Sequence, residues 1–194
     1  MSLLRIYRAS LLGLSVLLYG CAVQSHITPP TRSVNEQILL DQSLERSLAG
    51  TRLPLVSGKS VGVEINGLTG DKEFIQSALV AWLARQGYRV PGDKQEDYLL
   101  RVMVHSFGTN VKDSFFGVPP ISGGLFPIAL PQLALYKHQE QRALTRLSAD
   151  LYERKEGRLL ASMSPFEGQT YLRDSTYLFG IKKASSNLSP LPGQ

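Results

Sequence analysis

The sequence predicts an α/β fold of the α+β sandwich kind: a single domain in which a mixed, mainly antiparallel sheet carries two amphipathic helices on one side. Three observations lead there. Residues 60–66 and 98–107 have apolar side chains at alternate positions, residues 142–163 repeat the alternation on two arms joined by a turn, and residues 34–50 and 72–87 space theirs as helices do.

The chain begins with "MSLLRIYRAS", basic through Arg5 and Arg8 and free of acid, followed by the uncharged run "ASLLGLSVLLYG" at 9–20. A run of that length falls short of the roughly 20 residues that span a bilayer, so residues 1–20 read as an export signal. "LYGC", residues 18–21, resembles the lipobox of bacterial lipoproteins, and Cys21 is the only cysteine. The resemblance implies cleavage before Cys21, a diacylglycerol on its sulfur and an acyl chain on its new amino group. Two or three chains at one residue exceed the roughly two signals that stable anchoring needs. Ala22 follows where lipoproteins kept at the inner membrane tend to have aspartate. The expected location is therefore the outer membrane, lipid-anchored, on its periplasmic face.

Residues 21–33 contain Pro29 and Pro30 without apolar period and read as a flexible tether. The domain is expected over 34–183. "SVNEQILLDQSLERSLAG" places Val34, Ile38, Leu44 and Leu48 near one helical face with Leu40 beside them, Ser33 or Asn35 as cap, and Gly50 as stop. "SVGVEIN" at 60–66 alternates as a half-buried strand, and "KEFIQSALVAWLARQGYRV" sets Phe74, Ala78, Leu79, Trp82 and Leu83 on a helix that Gly87 closes. In "DYLLRVMVHSFG", Leu100, Val102 and Val104 face one way and Leu99, Met103 and Phe107 the other, which marks a central strand. Ala143, Leu147, Ala149 and Leu151 run toward the turn "RKEG", and Leu159, Ala161 and Met163 return, which makes a hairpin. "TYLFGI" at 176–181 reads as a last short strand, and 184–194 as a disordered tail.

Between the central strand and the hairpin lies "FFGVPPISGGLFPIALP", residues 115–131, inside a stretch from Asp113 to Lys137 that contains no charge. Pro119, Pro120, Pro127 and Pro131 remove backbone donors, so a spanning helix would be broken repeatedly. It reads as a long apolar loop. Either Phe115, Phe116, Leu125 and Phe126 fold back to cap the core, or they form a partner-contact loop.

Composition excludes several function classes. The net charge of +5 includes the two signal arginines, and no basic run exceeds two residues, so no nucleic-acid partner is expected. The three histidines, His26, His105 and His138, have no second ligand at metal spacing, so neither a metal site nor a cofactor is expected. "GKS" at 58–60 lacks the upstream glycine of a phosphate loop and leads into a strand, hence a turn. "NGLTGDKE" joins strand to helix in the manner of an anion site, but Asp71 and Glu73 occupy the first turn. Trp82 falls on the core stripe, and "FEGQTYLRD" at 166–174 reads as a surface connection or a recognition loop.

Taken together, "TRSVNEQILLDQSLERSL", "LVSGKSVGVEI", "ARQGYRV", "DYLLRVMV", "LPQLALYKHQEQRALTRLSADLY" and "SPFEGQTYLRDSTYLFGI" resemble a family of bacterial outer-membrane lipoproteins without an assigned biochemical role. The order strand, helix ending "QGYRV", strand is similar, more distantly, to the surface-exclusion and curli-secretion types of lipoprotein, which implies oligomerisation. The expected function is a non-enzymatic, structural or assembly role in the envelope. Its partners would be the membrane through Cys21 and a protein partner or homo-oligomer. One alternative is a binding module for a small apolar or envelope ligand, which predicts a concave pocket under 115–131. Another is an envelope hydrolase, which needs His105 or His138 beside a carboxylate and a hydroxyl in a cleft.

Overall fold

The computed structural model describes residues 32–92, 96–118, 121–123, 126–130, 133–178 and 180–190. Cys21, the expected signal at 1–20 and the expected tether as far as Thr31 lie outside them. Ser33 caps helix α1 (Val34–Leu48), its hydroxyl accepting from the Glu36 N–H at 3.3 Å. The buried stripe of α1 is Leu39, Leu40, Leu44 and Leu48, with Ser43 and Ser47 between them, so Val34 is left in solvent. Helix α2 (Lys72–Arg85) buries Ile75, Leu79, Trp82 and Leu83, and Gly87, at φ 85°, takes the left-handed conformation just past its end. Trp82 is a core residue, as its place on the stripe predicts. Phe74 is 44% exposed and lies against Phe107, the ring centroids 6.1 Å apart.

The five-stranded sheet has the order β1-β2-β5-β6-β7. Strand β1 (Val61–Gly67) runs parallel to the start of β2 (Tyr98–Val118), in register from Val61 opposite Tyr98 to Gly67 opposite Val104, with α2 as the crossover. β2, β5 (Leu133–Glu153), β6 (Arg158–Tyr177) and β7 (Ile181–Ser186) pair antiparallel in turn. The predicted α+β class, with a mixed and mainly antiparallel sheet, is what forms. Both helices pack on one face, where Leu44, Leu79 and Leu83 meet Leu100, Val102, Leu147 and Leu151. Close seating of α1 depends on Gly168 in β6, because a β-carbon there would run into the α1 backbone at Ser43 and Ser47. Polar atoms in that seat are paired: the Ser43 and Thr145 hydroxyls lie 2.6 Å apart, and the Thr170 hydroxyl donates to the Leu39 carbonyl at 2.7 Å.

Several sequence expectations change. Strand β2 is expected to end near Phe107 but has 21 residues, and β5 also has 21, so the 115–131 segment is no structureless loop. Residues 115–118 end β2, and β3 (Ile121–Gly123) with β4 (Phe126–Leu130) form a separate two-stranded ribbon. A bulge between Val104 and Ser106 reverses the alternation, which moves Phe107 from the Met103 face to the helix face. "FEGQTYLRD" is neither surface connection nor recognition loop: it lies within β6, beneath α1. Of "TYLFGI", Thr176 and Tyr177 end β6 and Ile181 opens β7, with Leu178 at φ 44° after β6. The expected disorder from 184 gives way, through 190, to β7 and a return segment. There the Asn187 side chain accepts from the Tyr171 N–H at 2.8 Å, and Ser189 and Gln42 exchange hydrogen bonds.

Candidate functional site: a long sheet arm

Beyond the level of Thr109, whose hydroxyl donates to Glu36 in the first turn of α1 at 2.8 Å, the sheet continues past the helices. At about 3.3 Å per residue, the nine steps from Thr109 to Val118 project by about 30 Å. This arm has four strands, the far ends of β2, β5 and β6 together with β7. Past its base, where Leu172 packs against Leu39 and Leu40, the buried side chain of the arm among the described residues is the charged Glu140, so no apolar period announces the arm in the sequence.

Register defines the rows. On the face away from the helices, Lys112, Glu140, Arg173 and Ser185 lie side by side. Glu140 accepts from Arg142 Nε at 2.5 Å and from Arg173 Nε at 2.8 Å, and those two hydrogen bonds, Arg142 first, lower its pKa from 4.5 to about 2. Arg173 also stacks over the Tyr171 ring, 4.3 Å from its centroid. Nearer the end, Ser114, His138, Ser175 and Lys183 form a row, then Phe116, Tyr136, Tyr177 and Ile181. On the helix side the last full row is Phe115, Lys137, Thr176 and Lys182.

Phe115 and Phe116 therefore do not cap the core. They are exposed at 41% and 67%, together with Val118, Leu178 and Ile181. Leu125 lies outside the described residues, as does the side chain of Phe126, whose backbone belongs to β4. Reading by period misses Tyr136, Tyr177, Leu178 and Ile181, and the weak signal available is the absence of charge between Asp113 and Lys137.

The second property of the arm is its edge. Strand β1 covers β2 only as far as Val104, so among the described residues the β1 side of His105–Val118 has no strand partner. A row of main-chain donors and acceptors is thus offered for pairing. Lys112 and the bulge beside Val104 limit indiscriminate pairing.

Both sheet histidines pair with serine, His105 Nε2 with Ser148 Oγ and His138 Nδ1 with Ser175 Oγ, each at 2.8 Å. These are cross-strand neighbours on the open face, and the nearby Asp150 instead accepts from Ser162 at 2.6 Å. "NGLTGDKE" is a turn in which the Asp71 carboxylate accepts from Arg32 at 2.7 Å and from Thr69 at 3.1 Å, filling the spot an anion would take. A cleft of about 540 Å³ opens between the helices, with Leu44, Ala78, Ala81 and Trp82 in its walls and Glu45 and Arg85 among its charged lining residues. Its lining comes from α1, α2 and residues 49–52, and no described residue of 115–131 is part of it.

No family model matches the chain, and no curated protein does. Among solved structures it is distantly similar to lipoprotein GNA1162 from Neisseria meningitidis, at 13% identity and a TM-score of 0.32, over 61% of this chain and 84% of that one. It is also distantly similar to a putative neuraminyllactose-binding hemagglutinin homolog from Helicobacter pylori, at 16% identity and a TM-score of 0.27, over 71% of each chain. No helix among the described residues is long and apolar enough to cross a membrane.

Proposed function

We propose that this protein is a lipid-anchored outer-membrane component with a structural or assembly role, non-enzymatic, making protein contacts through the free edge of β2. The observation that carries this reading is the edge itself: among the described residues, His105–Val118 has no strand partner on the β1 side, along a strand that projects past the helices. An extended partner strand, from a second copy or another envelope protein, would satisfy those groups by adding to the sheet. Anchoring rests on the sequence around Cys21, "LYGC" after a basic and then apolar leader. Both His–Ser pairs lie on the open face of the sheet, which supports a structural use of the histidines.

The test is a photo-crosslinking residue in place of Val111, on the free edge, in cells that export and process the full chain. A discrete adduct of higher mass is expected from that position and not from Gly157, in the turn at the other end of the sheet. Recovery of uncrosslinked monomer alone from position 111 overturns the reading.

A second reading, a binding module for a small apolar ligand, draws support only from the cleft between α1 and α2, whose volume is in the range of small-molecule sites. Trp82 lines that cleft, so a ligand there would change the fluorescence of the single tryptophan.

A further inference from the structure

We propose that the end of the arm rests on the bilayer that holds the Cys21 anchor, so that the protein touches the membrane at two places. The proposal builds on the lipid-anchored reading above and adds the second contact. Arg32 is tied to Asp71 at the start of α2, and Glu36 is tied to Thr109, so the tether enters at the arm end of the helices, not at the far end of the domain. From Thr109 to Phe116 the strand advances by about 23 Å at about 3.3 Å per residue. The segment from Cys21 to Ser33 reaches about 40 Å when fully extended and about 20 Å as a random coil. A tether of that reach is long enough for the anchor and the arm end to meet one bilayer.

The side chains change along the arm in the order a membrane interface requires. Lys112 comes first, then a row with Asp113 and Asp174, then Lys183, then Lys137 and Lys182 level with Phe115, then the row of Phe116, Tyr136 and Tyr177, and beyond them sequence without charge. Lysines suit the anionic headgroups, tyrosines the boundary and apolar residues the region beneath. Leu178 adds an independent sign. It occupies a left-handed position, φ 44°, in the turn before β7, where glycine or asparagine would be less strained, and it is 65% exposed.

Depth is limited by the same edge that offers protein contacts. Unpaired backbone groups on β2 cannot enter hydrocarbon, so the end of a single arm goes no deeper than the hydrated interface, about 5–10 Å.

The test uses the processed, acylated protein with Phe116→Cys, labelled with bimane and reconstituted in phosphatidylethanolamine–phosphatidylglycerol vesicles that carry nitroxide lipids. Several-fold stronger quenching is expected there than in the Lys155→Cys control at the opposite end. Reversing Lys137→Glu and Lys182→Glu should lower the quenching in these vesicles more than in uncharged phosphatidylcholine vesicles. Quenching by aqueous iodide equal to that at position 155 overturns the proposal. Protection from iodide without lipid quenching also overturns it, because protein would then cover the site. The mass of the processed N-terminus reads acylation separately. An unacylated Cys21 would refute the anchor, while quenching at position 116 would still decide the contact at the arm end.

Discussion

Gly168 is the position where one added carbon should have the largest effect. Its place in β6 lets α1 approach so closely that a β-carbon would lie 2.6 Å from the Ser47 nitrogen and closer still to the Ser43 carbonyl. Both are helix backbone, so relief comes only from lifting α1 off the sheet. At stake are Leu39, Leu40, Leu44 and Leu48, each no more than 4% exposed. At about 1.5–3 kcal/mol per buried leucine, the four contribute about 6–12 kcal/mol. Losing about a quarter of that, about 1.5–3 kcal/mol, and the Ser43–Thr145 and Thr170–Leu39 hydrogen bonds at about 1 kcal/mol each, gives about 3.5–5 kcal/mol for Gly168→Ala, above the usual overpacking range. Urea unfolding followed by Trp82 fluorescence measures it, since Trp82 is the only tryptophan and is 7% exposed. With a slope of about 1–3 kcal/mol per molar, the midpoint should fall by about 1 M or more. An unfolding free energy for Gly168→Ala within about 0.5 kcal/mol of the parent protein would refute the seating argument.

Other outcomes are equally checkable. Cys21→Ala should leave uncleaved precursor without acyl label in a metabolic palmitate-labelling experiment, and processed, labelled protein from that variant would sink the lipobox reading. The Glu140 carboxyl, held at about 2 by its two arginines, favours the folded state above its ordinary value of 4.5, and this contribution is lost as pH falls from there through about 2. Glu140→Gln should therefore lower the urea midpoint at pH 6 and converge with the parent protein near pH 2; a constant gap across that range would contradict the ion-pair assignment. Leu79→Ala, at a core position 2% exposed, should cost about 2–5 kcal/mol in the same unfolding assay.

What the sequence made legible was whatever packs against something. Leu100, Val102 and Val104 alternate because α1 and α2 cover them, and Leu79, Trp82 and Leu83 recur at helical spacing because they face that sheet. The arm left no such trace. Residues such as Lys112, Ser114, Gln139 and Glu140 are polar on both faces, so their side chains carry no periodic signal even though the backbone pairs continuously. The bulge at Val104 hid the true face of Phe107, since one extra residue inverts every later assignment. Gly168 and Thr170 looked like loop composition for a different reason: small residues are there to admit the α1 backbone, a requirement set by a helix more than a hundred residues earlier. Of the candidate site, Phe115 and Phe116 could be named from the uncharged run, but their neighbours Tyr136, Tyr177 and Ile181 become visible only through register.

The free edge of β2 can be read directly by amide hydrogen exchange, residue by residue, on the protein in its native envelope and on the same protein extracted as a monomer. Between His105 and Val118, the amides that point away from β5 should exchange fast in the extracted monomer and become protected in the envelope, while those bonded to β5 stay protected in both. Equally fast exchange of the outward amides in both states would contradict a partner on that edge.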